Sequence, residues 1–224
     1  NDAPNSEQDG NKIQRVYEVT KNTKLYGSWS IQNLTITQNA EAQPPDVYRY
    51  KRGKRKGDLR VETREGEIEQ IVSQSHQAVE LVGGGANEVI VLGGKLAVDG
   101  YVAKGESRGS GDLTVNADAG LLKASKGGQV RAKNAEIVEV SESGYFTKSF
   151  VEIDEDVKEA TVVKGNMRIH GNVDLVRIGY EGHALVDGNA KTIEASHEGS
   201  AEVKGSVDTG RVGLGVIAHS HAQN

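Results

Sequence analysis

A glycine that recurs every 17 residues constrains the fold of this chain more than any other feature of its sequence. Gly94, Gly111 and Gly128 each open a five-residue unit whose third and fifth residues are apolar. A second series with the same spacing and pattern follows at Gly165, Gly182 and Gly199. A fixed short period is typical of a solenoid in which each repeat forms one coil.

The apolar residues of each unit alternate with variable ones, which places them on one face of a short β-strand. Such a strand is too short to be stable alone, but copies stacked about 4.8 Å apart bury a continuous apolar column. The expected core includes Leu96, Val98, Leu113, Val115, Val130, Ile169, Val186 and Val203.

Two further columns keep the same spacing, one at Gly171, Gly188 and Gly205 and another at Ile178, Ala195 and Val212. Three columns per coil predict a roughly triangular cross-section with one short strand on each side. Glycine suits the corners, where the chain would turn through a conformation that a Cβ penalises. The predicted corners are Gly94, Gly111, Gly128, Gly144, Gly165, Gly171, Gly182, Gly188, Gly199 and Gly205.

The sequence therefore predicts an all-β protein with a solenoid over residues 77–217, about eight coils and about 40 Å long. Gly144 to Lys148 continues the register if one residue is dropped. Residues 13–76 hold half of the aromatic side chains, which predicts a β-rich cap or subdomain. Residues 1–12 are a polar extension that either crosses to another subunit or lies along its own domain, and 218–224 form a tail.

Two charged segments are candidate assembly contacts. The basic loop over residues 49–60 contains Arg49, Lys51, Arg52, Lys54, Arg55 and Lys56, and the acidic run contains Glu152, Asp154, Glu155 and Asp156. Opposite patches at different heights of a rod can steer identical copies into contact. An acidic surface polymer and ordinary solvated loops are alternatives, whereas the net charge of −5 argues against nucleic acid as a partner.

Catalytic patterns are absent from the sequence, since no Ser/His/Asp arrangement, phosphate-binding loop or metalloprotease helix appears. The acidic run offers oxygens for Ca²⁺, but it lacks the regular Asp and Gly spacing of calcium-binding repeats. The expectation is a protein that is not an enzyme and has no cofactor and no metal. No apolar stretch is long enough to span a membrane.

The repeat units resemble those of two families. Gly109-Ser110-Gly111-Asp112-Leu113-Thr114-Val115 resembles the recurring unit of secreted bacterial head-GIN and related adhesin domains, which are short-coil β-solenoids. The units at 163–166 and 186–189 are similar to those of bactofilins, solenoids that polymerise end to end. The resemblance covers about residues 77 to 215 and implies a β-solenoid without catalytic residues.

These observations predict an exported structural protein, extracellular or at the cell surface after removal of a leader, that forms a homopolymer head to tail. The ends of a solenoid expose unpaired strand edges, which a copy of the chain can cover. A strand within Asn1 to Thr20 could bridge subunits by strand addition. The alternatives are a monomeric adhesin or a module that binds a cell-surface glycan and, less favoured, a carbohydrate-active enzyme.

Overall fold

The computed structural model of the chain is an all-β solenoid of about nine turns with about 17 residues per turn, which confirms the predicted fold class. It describes residues 14–25, 28–142, 147–196, 198–213 and 216–219. Within these ranges there is no helix, and therefore none long and apolar enough to cross a membrane.

The described residues form 18 strands. These are β1 (Gln14–Leu25), β2 (Ser28–Asn39), β3 (Asp46–Arg49), β4 (Leu59–Glu62), β5 (Ile68–Ser75), β6 (Val79–Val82), β7 (Ala86–Val98), β8 (Val102–Ser125), β9 (Gln129–Ser141), β10 (Ser149–Ile153), β11 (Val157–Val162), β12 (Gly165–Ile169), β13 (Val173–Ile178), β14 (His183–Val186), β15 (Ala190–Ala195), β16 (Ser200–Val203), β17 (Val207–Val212) and β18 (Val216–His219).

The glycine-led units form one face of the rod, with strands paired in parallel in the register that the sequence predicts. Lys95 pairs with Asp112, and Asp112 pairs with Gln129. The eight predicted core residues are all buried, none more than 1% exposed. Successive inward residues form a column that runs through Leu59, Val79, Leu96, Leu113, Val130, Val151, Met167, Ala184 and Ala201.

The other two sides of each coil are carried by one bent strand. In β13, Val173, Val176 and Ile178 are buried, but Asp174 and Leu175 between them both face outward. Two successive outward residues interrupt the period-two alternation, so the strand turns a corner at this point. Each turn therefore has three sides.

The glycines that open the units are required for space more than for an unusual backbone conformation. A Cβ on Gly182 would lie 2.4 Å from the carbonyl oxygen of Val162 in the preceding coil. The left-handed conformation falls one residue earlier, with φ of 51° at Lys164, 51° at Glu181 and 61° at Glu198. The prediction that these glycines adopt a conformation unfavourable for other residues is thus wrong for most of those described, although Gly94 does have a φ of 73°.

The spacing between coils is longest after β9, where Gln129 pairs with Phe150, 21 residues later, and Ala135 pairs with Val157, 22 residues later. Ser149 thereby takes the position above Gly128 that the sequence register gave to Gly144. The Ser149 hydroxyl closes this corner, since it accepts a hydrogen bond from the backbone N–H of Gly127 at 2.9 Å and donates to the carbonyl of Glu142 at 2.6 Å. Gly144 lies outside the described residues.

Three antiparallel strands cover the N-terminal end of the rod. The parallel stack begins at β4, which pairs with β6, so its first described coil lies within residues 13–76. β3 pairs antiparallel with β4, β2 pairs antiparallel with β5, and β1 completes a hairpin with β2. Residues 1–12, predicted to form an extension, lie outside the described residues.

Candidate functional site

The acidic run lies on the coil of β10 and β11, where most of its charges already have partners. Oε2 of Glu152 lies 3.3 Å from Nε of Arg131, and its Oε1 lies 3.1 Å from Nε2 of His170. Glu155 accepts a hydrogen bond from Asn134 at 2.8 Å and lies 3.8 Å from Lys133.

Asp156 and Asp154 differ within the same run. Asp156 accepts a hydrogen bond from the backbone N–H of Asn172 at 2.7 Å, whereas Asp154 is exposed to solvent. Glu152 and Glu155 are therefore paired with cations of neighbouring coils, whereas Asp154 and Asp156 are exposed and form no ion pair with another described residue.

The basic loop is the tip of the β3–β4 hairpin, and two of its arginines are used to hold it in place. The guanidinium of Arg55 stacks 4.1 Å from the centroid of the Tyr50 ring and bridges to Oε2 of Glu80 at 2.8 Å. The Tyr50 hydroxyl donates to the other oxygen of Glu80 at 2.8 Å, and Arg60 lies 3.6 Å from it. Burial alone would raise the pKa of Glu80, but the hydrogen bonds from Arg55 and Tyr50 outweigh it and lower the pKa.

The remaining charges of the basic loop project from the tip. Lys51, Arg52, Lys54 and Lys56 are exposed and make no ion pair with another described residue. Backbone hydrogen bonds fix the loop that carries these cations. The N–H of Lys56 donates to the carbonyl of Gly53 at 3.2 Å, and the N–H of Gly57 donates to the carbonyl of Tyr50 at 2.8 Å. The loop thus presents four cations on a well-bonded turn. Arg49, at the end of β3, has contacts of its own.

An open trough of about 760 Å³ runs along the rod beside the glycine-led face. It begins at Asp58, near the C-terminal end of the basic loop, and its rim carries Lys95, Asp112 and Gln129 from three successive coils. Its floor is shallow because Gly94, Gly109, Gly111 and Gly127 have no side chains to fill it. One carboxylate oxygen of Asp112 is buried and has no hydrogen-bond partner among the described residues.

A second polar feature, a ladder of short side chains, follows the corner at Gly171 and Gly188. Oδ1 of Asn172 accepts a hydrogen bond from the backbone N–H of Asn189 at 2.9 Å, and Oδ1 of Asn189 accepts from that of Ser206 at 2.8 Å. Our reading of the sequence missed this ladder, although the 17-residue spacing of Asn172 and Asn189 was visible. These bonds satisfy the corner backbone, so the ladder is structural.

The described part of the chain contains no cluster of side chains that could form a metal site. There, no group of three or more His, Cys, Asp or Glu side chains is arranged to hold a metal ion. No protein-family model, curated protein or solved structure matches the chain. The solenoid is thus shown by the structure, whereas the likeness to head-GIN and bactofilin units stays a prediction from the repeats.

Proposed function

We propose that this chain is a non-enzymatic structural protein whose solenoids stack head to tail into a filament. The proposal rests on one relationship, the shared direction and shared side of β1 and β17, two strands near opposite ends of the chain that each have one edge unpaired by any described strand. The paired charges of the acidic run give it no support, so strand edges rather than charge patches are the proposed contacts.

The C-terminal end of the rod offers an incomplete coil. β17 pairs with β15 on one side and with no other described strand. Val212 stacks below Ala195, which is only 3% exposed, yet Val212 itself is 50% exposed. A further strand below β17 would bury Val212 and pair its backbone, as happens in every coil above it.

The N-terminal end offers a strand that fits this edge. β1 pairs with β2 alone among the described strands, and β2 lies on β5, which belongs to the same side of the rod as β17. Because β1 is antiparallel to β2 and β2 is antiparallel to β5, β1 runs in the same direction as β5 and β17. Laid against β17, β1 of a second copy would continue the parallel ladder without a sideways shift.

The test is assembly of purified protein as a function of concentration. About nine turns plus β1 and β2, at about 4.8 Å each, predict fibres with an axial repeat of about 50 Å in negative-stain micrographs. Val212→Lys should abolish them, because a charge would be buried at the joint. Ile137→Lys is the matched control, since Ile137 is 40% exposed on the flank of the rod.

Two outcomes would contradict the proposal: a wild-type protein that sediments as a single monomer at all concentrations, or a Val212→Lys variant that assembles like the wild type. The predicted export and extracellular location stay predictions, as does the role of residues 1–12.

A further inference from the structure

We propose that the trough and the four cations of the β3–β4 hairpin tip form one binding site for a linear acidic polysaccharide. This site lies on the flank of the rod, so it is independent of the proposed filament and would serve a single subunit equally well. Three properties of the site support the assignment: its length, the chemistry of its walls and the charge at its end.

The trough is long and open along the rod axis. Ala78, Lys95, Asp112 and Gln129 line it from successive coils; the last three pair side by side in the sheet, and Ala78 directly precedes Val79, which pairs with Leu96. At about 4.8 Å per coil, these four positions extend over about 14 Å. A shallow channel of this shape fits an extended polymer chain better than a compact small molecule, which binds in an enclosed cavity.

The walls of the trough match the hydrogen-bonding groups of sugars. Gln129, Ser110 and Thr147 carry groups that both donate and accept hydrogen bonds, as sugar hydroxyls do. Lys95 on the rim is exposed, and its ammonium can donate hydrogen bonds to the hydroxyl and carboxylate oxygens of a sugar. The glycine floor lets a sugar ring approach the backbone closely.

The charge at the end of the trough favours an anionic chain. Lys51, Arg52, Lys54 and Lys56 stand together in an otherwise acidic protein of net charge −5. Arg55 lies 3.5 Å from Asp58 at the start of the trough, so the carboxylate nearest to the tip is already neutralised. Clustered cations on a fixed loop attract a polymer that carries a charge on each of its units.

Two other polyanions fit the site less well. Single-stranded nucleic acid stacks its bases on successive aromatic rings, but among the described residues no Phe, Tyr or Trp lines the trough. A flat anionic membrane could reach the hairpin tip, but it could not follow a trough along the flank of the rod.

The test compares four probes by affinity electrophoresis and titration: polygalacturonate, neutral dextran, single-stranded DNA and phosphatidylglycerol-containing vesicles. Wild-type protein should bind polygalacturonate, more weakly as salt rises, and should not bind dextran. A tip variant with Lys51, Arg52, Lys54 and Lys56 changed to Ser should lose about tenfold or more in affinity. The matched control changes four cations elsewhere on the rod to Ser and alters net charge equally; these are Lys104, Lys158, Lys191 and Arg211.

The trough is tested separately. Ser110→Phe fills the trough from its exposed rim and should weaken polygalacturonate binding several-fold, whereas Thr192→Phe on another side should not. Circular dichroism establishes that each variant is folded. Val212→Lys should bind as the wild type does, which separates failure of this site from failure of the filament.

The proposal is overturned if polygalacturonate does not bind, if DNA or vesicles bind as well or better, or if the tip variant and its charge control weaken equally. Unchanged binding by Ser110→Phe would remove the trough from the site.

Discussion

Nδ1 of His170 lies 2.8 Å from Oδ2 of Asp187 in the next coil. The same oxygen lies 3.1 Å from Nη2 of Arg168, and Oδ1 of Asp187 lies 2.6 Å from Nζ of Lys204. Through its other ring nitrogen, His170 reaches Glu152 at 3.1 Å. The ion pairs of Asp187 and the hydrogen bond between His170 and Glu152 therefore link four successive coils along one edge of the rod, in addition to the backbone ladder.

This network makes stability depend on Asp187 at acidic pH. The hydrogen bond from Lys204, together with Arg168 and against the effect of burial, lowers the pKa of Asp187 from 3.8 to about 2. Because the folded pKa is the lower one, the contribution is fully present above pH 4 and disappears as pH falls through about 2. Asp187→Asn should thus lower the melting temperature at pH 6, and thermal melts at pH 2 should show a much smaller difference. An equal difference at both pH values would contradict this account.

The glycine-led corners predict opposite effects for two adjacent substitutions. Gly182→Ala should destabilise the fold by about 1–3 kcal/mol, because its Cβ would meet the carbonyl oxygen of Val162 at 2.4 Å. Glu181→Gly should instead stabilise by about 0.5–1 kcal/mol, since Glu181 has a φ of 51° and glycine accepts that conformation without strain. Urea unfolding of both variants measures this. A destabilising Glu181→Gly would mean that its side-chain contacts outweigh the strain.

Replacement of Gln38 on β2 by an apolar residue should raise the stability of the fold. Its side chain is fully buried opposite Ile68, and neither its Nε2 nor its Oε1 has a hydrogen-bond partner among the described residues. Because burial of an unsatisfied amide costs about 1–3 kcal/mol, Gln38→Leu should raise the melting temperature by several degrees. Asn33→Leu, at an exposed position of β2, is the control for a general effect of apolar substitution. A lower melting temperature for Gln38→Leu would refute the idea.

The contacts of Glu80 should hold the basic loop in place. It binds Tyr50, Arg55 and Arg60 together, so Glu80→Ala should release the hairpin tip while the solenoid core stays folded. Limited trypsin digestion should then cut after Lys54 or Lys56 at least several-fold faster than in the wild type. Glu202→Ala, on the same face near the other end of the rod, is the control. Unchanged cleavage would mean that the backbone bonds of the loop suffice.

The sequence predicted the fold because each inward position recurs in a fixed register. Leu96, Leu113 and Val130 could be aligned by spacing alone, and they form one buried column. Register failed where the repeat itself is interrupted. The 17-residue spacing favours Gly144 over Ser149 as the successor of Gly128, because spacing carries no information on the backbone bonds to Gly127 and Glu142 that select Ser149.

The candidate site was less predictable, because its geometry depends on contacts between coils. The basic and acidic segments were found from composition, but only the structure reveals that Arg55 binds Glu80 and that Glu152 binds Arg131. The trough escaped notice because glycines were interpreted as corners, whereas their missing side chains also create the channel. No residue pattern in one chain specifies which charges remain unpaired after folding.

The described antiparallel strands cover only the N-terminal end of the rod, so the two ends should differ in how readily they unfold. Each coil contacts only its neighbours, so loss of structure should begin at the uncovered end and propagate coil by coil. Amide protons of β15 and β17 should then exchange with solvent sooner than those of β7 and β8, whose coils are covered on both sides. Unfolding would therefore start at the C-terminal coils and reach the covered N-terminal coils last.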